Sequence, residues 1–458
     1  MKVINPATGE TIGEVSAVGG ATVGALFERA RAAQPEWAGW PLHERCDLIR
    51  RFRAHLQYRV ADLARILTSE VGKPITQSRA ELERLLPRID YFLAQVESTV
   101  DDEVVYLDDA TGMEEVVSHE PLGVIANVSS WNYPYYVGAG VFVPGLLTGN
   151  AVLYKPSELA PLTGQAIAEM LWGSGVPEDV FGLLQGGADV GAALIEQPVD
   201  AVFFTGTSET GRRIARSLAG SLIRLHLELG GNDPVYVCDD VDVRAAAESL
   251  ADGAFYNNGQ SGSSVERIYV HERIHDEFVA WLTKTVEGYV LGDPNDEATY
   301  FGPVARASHL SLLDAQVADA VALGATVRTG GRRLTDRPGN WFAPTVLTDT
   351  TGAMAVMREE SFGPLIGIER VSGDEQALAL MNEGGSGLTG GVYSTDEPRA
   401  TDLLRRLDVG TAYWNCCDRV SPRLPWSGRH QSGAGSTLSR YGILSFVQPK
   451  AWHLRQPG

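Results

Sequence analysis

Apolar positions recur every three to four residues through the first hundred positions of the chain. Leu48, Ile49, Phe52 and Leu56 fall on one side of a helix, and Leu63, Ile66 and Leu67 extend the stripe to a stop at Gly72-Lys73-Pro74. Leu82, Leu85, Leu86 and Ile89 mark a second amphipathic segment that runs on to Tyr91 and Phe92. These read as packing helices without chemistry of their own. The short β-like runs 104–107 and 113–117 flank Asp108-Asp109-Ala110-Thr111-Gly112 and predict a hairpin with an acidic turn. Strands this short need a surface to pack against.

From residue 121 the pattern changes to alternating strands and helices. Strands are predicted at 123–128, 151–155, 180–184, 201–204 and 225–229, with helices at 163–172, 190–196 and 211–218 between them. That order predicts parallel strands joined by crossover helices, the usual frame of a dinucleotide site. A second α/β region follows, with strands at 235–237, 264–270 and 325–328 and helices at 243–255, 274–286 and 307–323. In the tail, the apolar run 443–447 suits a sheet-edge strand, which another subunit, as for the hairpin, could complete. The apolar stretch 137–153 is interrupted by Pro144 and several glycines and falls short of a membrane span.

Composition narrows the class further. Apolar residues make up 44% and charged residues 21% of 458, as in an ordinary globular protein, and 50 glycines suit tight βα turns. The formal charge of −20 disfavours nucleic acid and anionic lipid as partners. Cys46, Cys238, Cys416 and Cys417 form neither a disulfide framework nor a metal-ligand pattern, so a cytoplasmic setting and no metal are expected. The amino terminus leads through Asn5-Pro6-Ala7-Thr8-Gly9-Glu10, a turn before a strand pattern, and does not read as a signal peptide.

Several short constellations can carry chemistry. Phe203-Phe204-Thr205-Gly206-Thr207-Ser208-Glu209-Thr210-Gly211 joins an apolar strand to a helix whose amino terminus can face phosphate, or is simply a tight structural turn. Lys155 and Glu158 follow another strand, where they either hold a ribose or form an ordinary surface pair. Ser130-Trp131-Asn132-Tyr133-Pro134 offers an amide donor in an aromatic loop. Glu228, ending a strand before Gly230-Gly231, suits a general base of raised pKa or an interdomain hydrogen bond. Glu360-Ser361-Phe362-Gly363-Pro364 pairs a carboxylate with an aromatic ring, and 257–264 is a small polar loop.

In this order and spacing the motifs resemble the aldehyde dehydrogenase superfamily, from Asn5-Pro6-Ala7-Thr8-Gly9 to Ser432-Gly433 and Tyr441-Gly442. The resemblance implies an α/β fold with a Rossmann-like NAD-binding domain (1–98 and 122–231) and an α/β catalytic domain (232–432). A small β oligomerisation region (99–121 and 433–458) implies a homodimer or homotetramer. It implies NAD as cofactor, held by Trp131, Lys155, Glu158, Gly206, Ser208, Gly211, Glu360 and Phe362, with Glu158 favouring NAD over NADP by repelling a 2′-phosphate. Asn132 is implied as oxyanion donor and Glu228 as general base. Asn415 matches a late asparagine near the active site, and Pro425-Trp426-Ser427-Gly428 resembles a Pro-Phe-Gly-Gly segment. Tyr133, Tyr136, Trp414 and Trp426 then suggest an aromatic pocket for a modest aldehyde.

The family's chemistry is covalent: a cysteine thiolate attacks the aldehyde, hydride leaves to the cofactor, and the thioester is hydrolysed. That cysteine belongs two residues after Gln260, where this chain has Gly262. Neither the neighbouring serines nor Cys46, Cys238, Cys416 or Cys417 occupies its place. The parent reaction is therefore NAD-dependent oxidation of an aldehyde to an acid, and this chain is expected to bind NAD but oxidise little. Either an active enzyme has had its nucleophile deliberately replaced, or a natural relative without the activity serves as a ligand-binding or assembly protein.

Overall fold

The computed structural model describes residues 1–455. Three helices fill the first hundred residues: Gly20–Gly39, Leu42–Val71 and Ile75–Val100. The expected stripe is buried, with Ile49, Phe52, Leu56, Leu63 and Leu67 fully enclosed. Helix Leu42–Val71 ends where predicted, on Gly72 in the left-handed region at φ 76°.

These helices cover a sheet of strands Gly433–Ala434, Arg224–Leu229, Ala201–Gly206, Val124–Val128, Ala151–Lys155 and Phe181–Leu183, in that spatial order. All neighbours are parallel except the added edge at Gly433–Ala434, which pairs antiparallel with Glu228 and Leu227. The chain enters at Val124–Val128, winds one way to Phe181–Leu183, then returns to the other side at Ala201–Gly206. That reversal splays the loops at the carboxyl ends of Val124–Val128 and Ala201–Gly206 and opens a crevice there. The structure has a Rossmann-like dinucleotide architecture of this kind, an α/β catalytic region and a small β sheet.

The second large sheet runs Thr326–Thr329, Thr345–Thr348, Leu365–Val371, Val265–His271, Asp233–Val237, Thr389–Tyr393 and Thr411–Trp414. The strands at 345, 365, 389 and 411 are absent from the sequence reading. Three of them have only four or five residues, and Gly363-Pro364 and Gly390-Gly391 make their surroundings read as turns. Helix Pro134–Leu147 replaces any spanning segment, and among the described residues no helix is long and apolar enough to cross a membrane.

The third sheet places Met113–Pro121 between Glu103–Asp108 and Val447–Arg455, all antiparallel. The hairpin forms as expected, but the tail needs correction. Residues Ser439–Leu444 are helical, and the strand starts only at Val447. The apolar run spans the helix end and the turn before the strand, where Ile443 and Phe446 point inward, fully buried. The true strand contains Pro449, Lys450 and His453, which disguise it. It also completes the hairpin from within the same chain.

One backbone turn ties the two large units. Asn257, Asn258 and Gly259 are all left-handed, at φ 54°, 56° and 68°. A Cβ at Gly259 would lie 2.2 Å from the Gly363 carbonyl oxygen and 2.9 Å from that of Ala254. Gly259→Ala is therefore expected to destabilise the protein by at least about 2 kcal/mol, combining left-handed strain with overpacking. Urea unfolding checks this; a change below about 0.5 kcal/mol, typical of a surface substitution, would contradict it.

Candidate active site

A cavity of about 1570 Å³ lies at the crevice between the two large sheets. It gathers Trp131, Asn132, Tyr133, Tyr136, Lys155, Glu158, Gly206, Glu228, Gly262, Glu360, Phe362 and Trp426, residues predicted from distant parts of the sequence. Ser208, Gly211, Trp414 and Asn415 are not among its lining residues. Ser208 donates its hydroxyl to the Gln431 carbonyl at 3.0 Å. Gly211 serves close packing, since a Cβ there would meet Leu229 at 2.6 Å. The Trp414 indole donates to the Ser394 carbonyl at 3.0 Å, and Asn415 brackets Ser394 with its amide oxygen and nitrogen, each at 2.9 Å. Both bond to Ser394 at the end of a strand, and neither is among the residues lining the cavity.

Asn132 sits on the loop after Val124–Val128, with its side-chain oxygen accepting from Ser130 at 2.7 Å. Its amide nitrogen donates to the Gln260 carbonyl at 3.1 Å, on the loop that leads into Val265–His271 of the second sheet. Asn257 closes the same ring, its amide contacting the carbonyls of Asn132 (3.3 Å) and Gln260 (3.1 Å). Gln260 in turn donates back to Asn257 at 3.0 Å and accepts from the Ala305 N–H at 3.0 Å. This lattice holds the Asn132 amide against the backbone two residues before Gly262.

Glu228 ends the strand Arg224–Leu229, where register places it beside Thr205 and Gly433. Thr205 donates to it at 3.0 Å and Thr437 donates to its other oxygen. Burial raises its pKa; the two hydroxyls and the Arg88 charge oppose the rise without cancelling it. A carboxyl so placed is a proton acceptor closer to neutrality than a surface glutamate. Arg88, missed in the sequence, is held by the Tyr136 carbonyl at 3.1 Å and stacks over that ring at 4.1 Å. Its helical spacing with Leu85 and Ile89 gave it no distinguishing signal.

Around Gly262 the side chains are small and occupied. Ser261 and Ser263 donate to Asp418 at 3.2 and 2.8 Å. No histidine lines the cavity beside them; the one lining histidine, His309, bonds the Ser361 carbonyl at 2.8 Å. Cys417 does reach the cavity, which its place in the sequence did not reveal. Burial pushes its thiol up to about 12, so it is protonated at neutral pH and a poor nucleophile. Among the described residues there is no group of acidic, histidine and cysteine side chains able to hold a metal.

On the facing side, Trp131 and Phe362 meet edge to face with ring centres 5.8 Å apart. Glu360 accepts from the Gly231 N–H at 3.2 Å, and its pKa is driven well up by burial and then by Glu266. Lys155 and Glu158 lie where Ala151–Lys155 ends, with Nζ and carboxylate 3.8 Å apart. Aromatic faces at one end and a cation with a ribose-reaching carboxylate at the other form a donor set that fits a dinucleotide.

Residues 1–452 match the Aldehyde dehydrogenase family. The Succinate-semialdehyde dehydrogenase (NADP(+)) of Deinococcus radiodurans is 35% identical over 448 residues, covering 98% of this chain and 93% of that protein. An NADP-dependent enzyme from E. coli superposes with a TM-score of 0.96 at 30% identity, covering 99% of this chain and 94% of its own. A point mutant of betaine aldehyde dehydrogenase from Staphylococcus aureus, solved with NAD+, gives 0.95 at 30% identity, over 99% and 94%.

Glu266, beneath this site, accepts the N–H groups of Ser361 at 2.9 Å and Phe362 at 3.1 Å. Burial raises its pKa from 4.5 to about 7 despite those bonds. Because the folded value is the higher one, its contribution to stability is complete below about 4.5 and is lost as pH rises through about 7. Glu266→Gln is expected to flatten the fall in stability across that window. Denaturation curves of the two proteins that run parallel over the same range would contradict this.

Proposed function

Because the chain belongs to the aldehyde dehydrogenase family, we propose that its cleft binds NAD(P) and a small aldehyde but lacks the covalent step that oxidises it. Gly262 carries this reading. By its place two residues after Gln260 it takes, in this reading, the family's nucleophile position, and it lines the same cavity as Asn132 and Glu228. An added Cβ would meet only Leu388, at an ordinary 3.6 Å, and its φ is not left-handed. The space for a reactive side chain is therefore present, and a thiol is the missing part.

The proposed roles follow the geometry. Trp131, Phe362 and Glu360 hold the nicotinamide end, while Lys155, Glu158 and the Gly206 turn hold the adenosine end and diphosphate. When bound, the cofactor supplies a hydride acceptor. Asn132 would stabilise charge on the aldehyde oxygen, Glu228 would take a proton from water, and Tyr133, Tyr136 and Trp426 would shape the aldehyde site. Ser208, Gly211 and Asn415 act in this reading by shaping the loops behind the cleft. The domain limits proposed above apply, residues 456–458 lying outside the described part.

Homo-oligomerisation through the small sheet is part of the proposal. Its outer strand Glu103–Asp108 leaves Val104, Val105, Tyr106 and Leu107 about half exposed or more, a poor arrangement for an isolated edge. The same exposed edge, with a retained ligand cavity, supports the second reading of a binding or assembly protein. Four free cysteines agree with a cytoplasmic setting.

Gly262→Cys is expected to raise NAD(P)H formation from some aldehyde by at least about a thousandfold, the scale on which single covalent residues act. Initial rates across an aldehyde panel with both cofactors check it. Fast turnover by the unaltered chain would contradict the proposal, whereas no gain with any aldehyde would favour the binding or assembly role.

A further inference from the structure

Gly262 changes the shape of the cleft as well as its chemistry. A Cβ built there would have one contact within 4 Å beyond its chain neighbours, Leu388 Cδ2 at 3.6 Å. Leu388 is buried, Gly262 is partly exposed, and both line the cavity. The loop therefore offers space against an apolar wall, continuous with the main cleft.

No side chain of the protein competes for that space as a nucleophile. Ser261 and Ser263 donate to Asp418, and the Cys417 thiol is protonated and accepts from the Tyr393 hydroxyl at 3.4 Å. Groups that serve addition to a carbonyl nevertheless line the same cavity. The Asn132 amide, which carries two N–H groups, engages only the Gln260 carbonyl, and the Gly262 N–H has no acceptor among the described residues. Glu228 supplies a buried proton acceptor. Donors for a developing oxyanion and a base are thus in place, and the missing part is a sulfur nucleophile.

Resting on the reading of a nicotinamide and aldehyde cleft proposed above, we infer that the protein takes a small free thiol from solution into the space at Gly262 and oxidises the aldehyde to a free thioester. The thiol sulfur bonds to the aldehyde carbon and its proton moves to the aldehyde oxygen, giving a hemithioacetal. Thiols and aldehydes undergo this addition unaided in water. The carbinol hydrogen then leaves as hydride to NAD(P)+, and the hydroxyl proton passes to Glu228 and on to solvent. The aldehyde carbon loses two electrons, the nicotinamide gains them, and sulfur keeps its oxidation state. No bond to the protein forms, so the thioester leaves by dissociation without hydrolysis. Without thiol the chain stays idle.

The test is dinucleotide reduction by the full chain, purified without reductant, with NAD+ or NADP+, an aldehyde (propanal, benzaldehyde or succinic semialdehyde) and 2-mercaptoethanol. The thiol is expected to raise the initial rate, corrected for the protein-free mixture, saturably and by at least about tenfold with one of these aldehydes, a modest part of what fixing a reactant in place can supply. Mass spectrometry should find the free thioester in solution. Dimethyl sulfide, which cannot add, should give no increase. Without any dinucleotide, aldehyde and thiol together should raise the melting temperature beyond the sum of their separate shifts. Gly262→Val, which fills the space, should abolish both effects. Gly262→Ala, whose methyl clears Leu388, should only weaken them, and a melting curve for each variant shows that it is folded. Calorimetric titration with NAD+ and NADP+ separates the two levels of the account. If either dinucleotide binds but thiol changes neither rate nor melting, the inference is overturned and the cofactor reading stands. Thiol-dependent turnover that survives Gly262→Val would overturn it as well. Failure of both dinucleotides to bind would overturn the cofactor reading itself, and the inference with it.

Discussion

The amide lattice joining Asn132, Asn257 and Gln260 is the contact on which the cleft depends. It forms only because three successive residues, Asn257 to Gly259, accept left-handed backbone. Asparagine tolerates that region better than other side chains, and the Gly363 carbonyl leaves room for glycine alone at the third position. The turn delivers Gly262 to the mouth of the first sheet, opposite the strand ending at Glu228. Without it the two α/β units would hold their donors and acceptors on separate surfaces.

Around that turn the protein accumulates buried carboxyl groups. Asp233, Glu228, Glu266 and Glu360 are all pushed upward in pKa, chiefly by burial. Each is matched by neutral donors: Thr389 for Asp233, threonines for Glu228, and backbone N–H groups for Glu266 and Glu360. A threonine hydroxyl can accept as well as donate and so satisfies a carboxyl in either protonation state, whereas the backbone N–H groups only donate and favour the charged form against the pull of burial. Glu158 is the contrast, since it is half exposed and paired with cations. Neutral partners therefore surround the enclosed carboxyls, and cations the half-exposed one.

Much of this was legible in the chain. The βα alternation predicts the parallel sheet because its strands are continuous apolar runs, and the carboxyl ends of those strands place Lys155, Gly206 and Glu228 together. What stayed hidden was contact between distant residues. Arg306, Arg88, Thr437 and Asp418 sit in unremarkable local patterns and acquire meaning only through partners more than a hundred positions away. Trp414 and Asn415 bond to Ser394 at a strand end, a contact equally invisible in the local pattern. The tail strand was obscured because edge strands carry proline and charge.

A complete cleft around an absent thiol is the central claim, and it concerns a bond rather than an affinity. Intact-protein mass spectrometry of the unaltered chain, incubated with NAD(P)+ and a panel of aldehydes and then quenched in acid, tests it most directly. An unshifted mass is expected, because Ser261 and Ser263 are engaged with Asp418 and the Cys417 thiol is protonated. A stoichiometric acyl adduct on any of these three residues would contradict it.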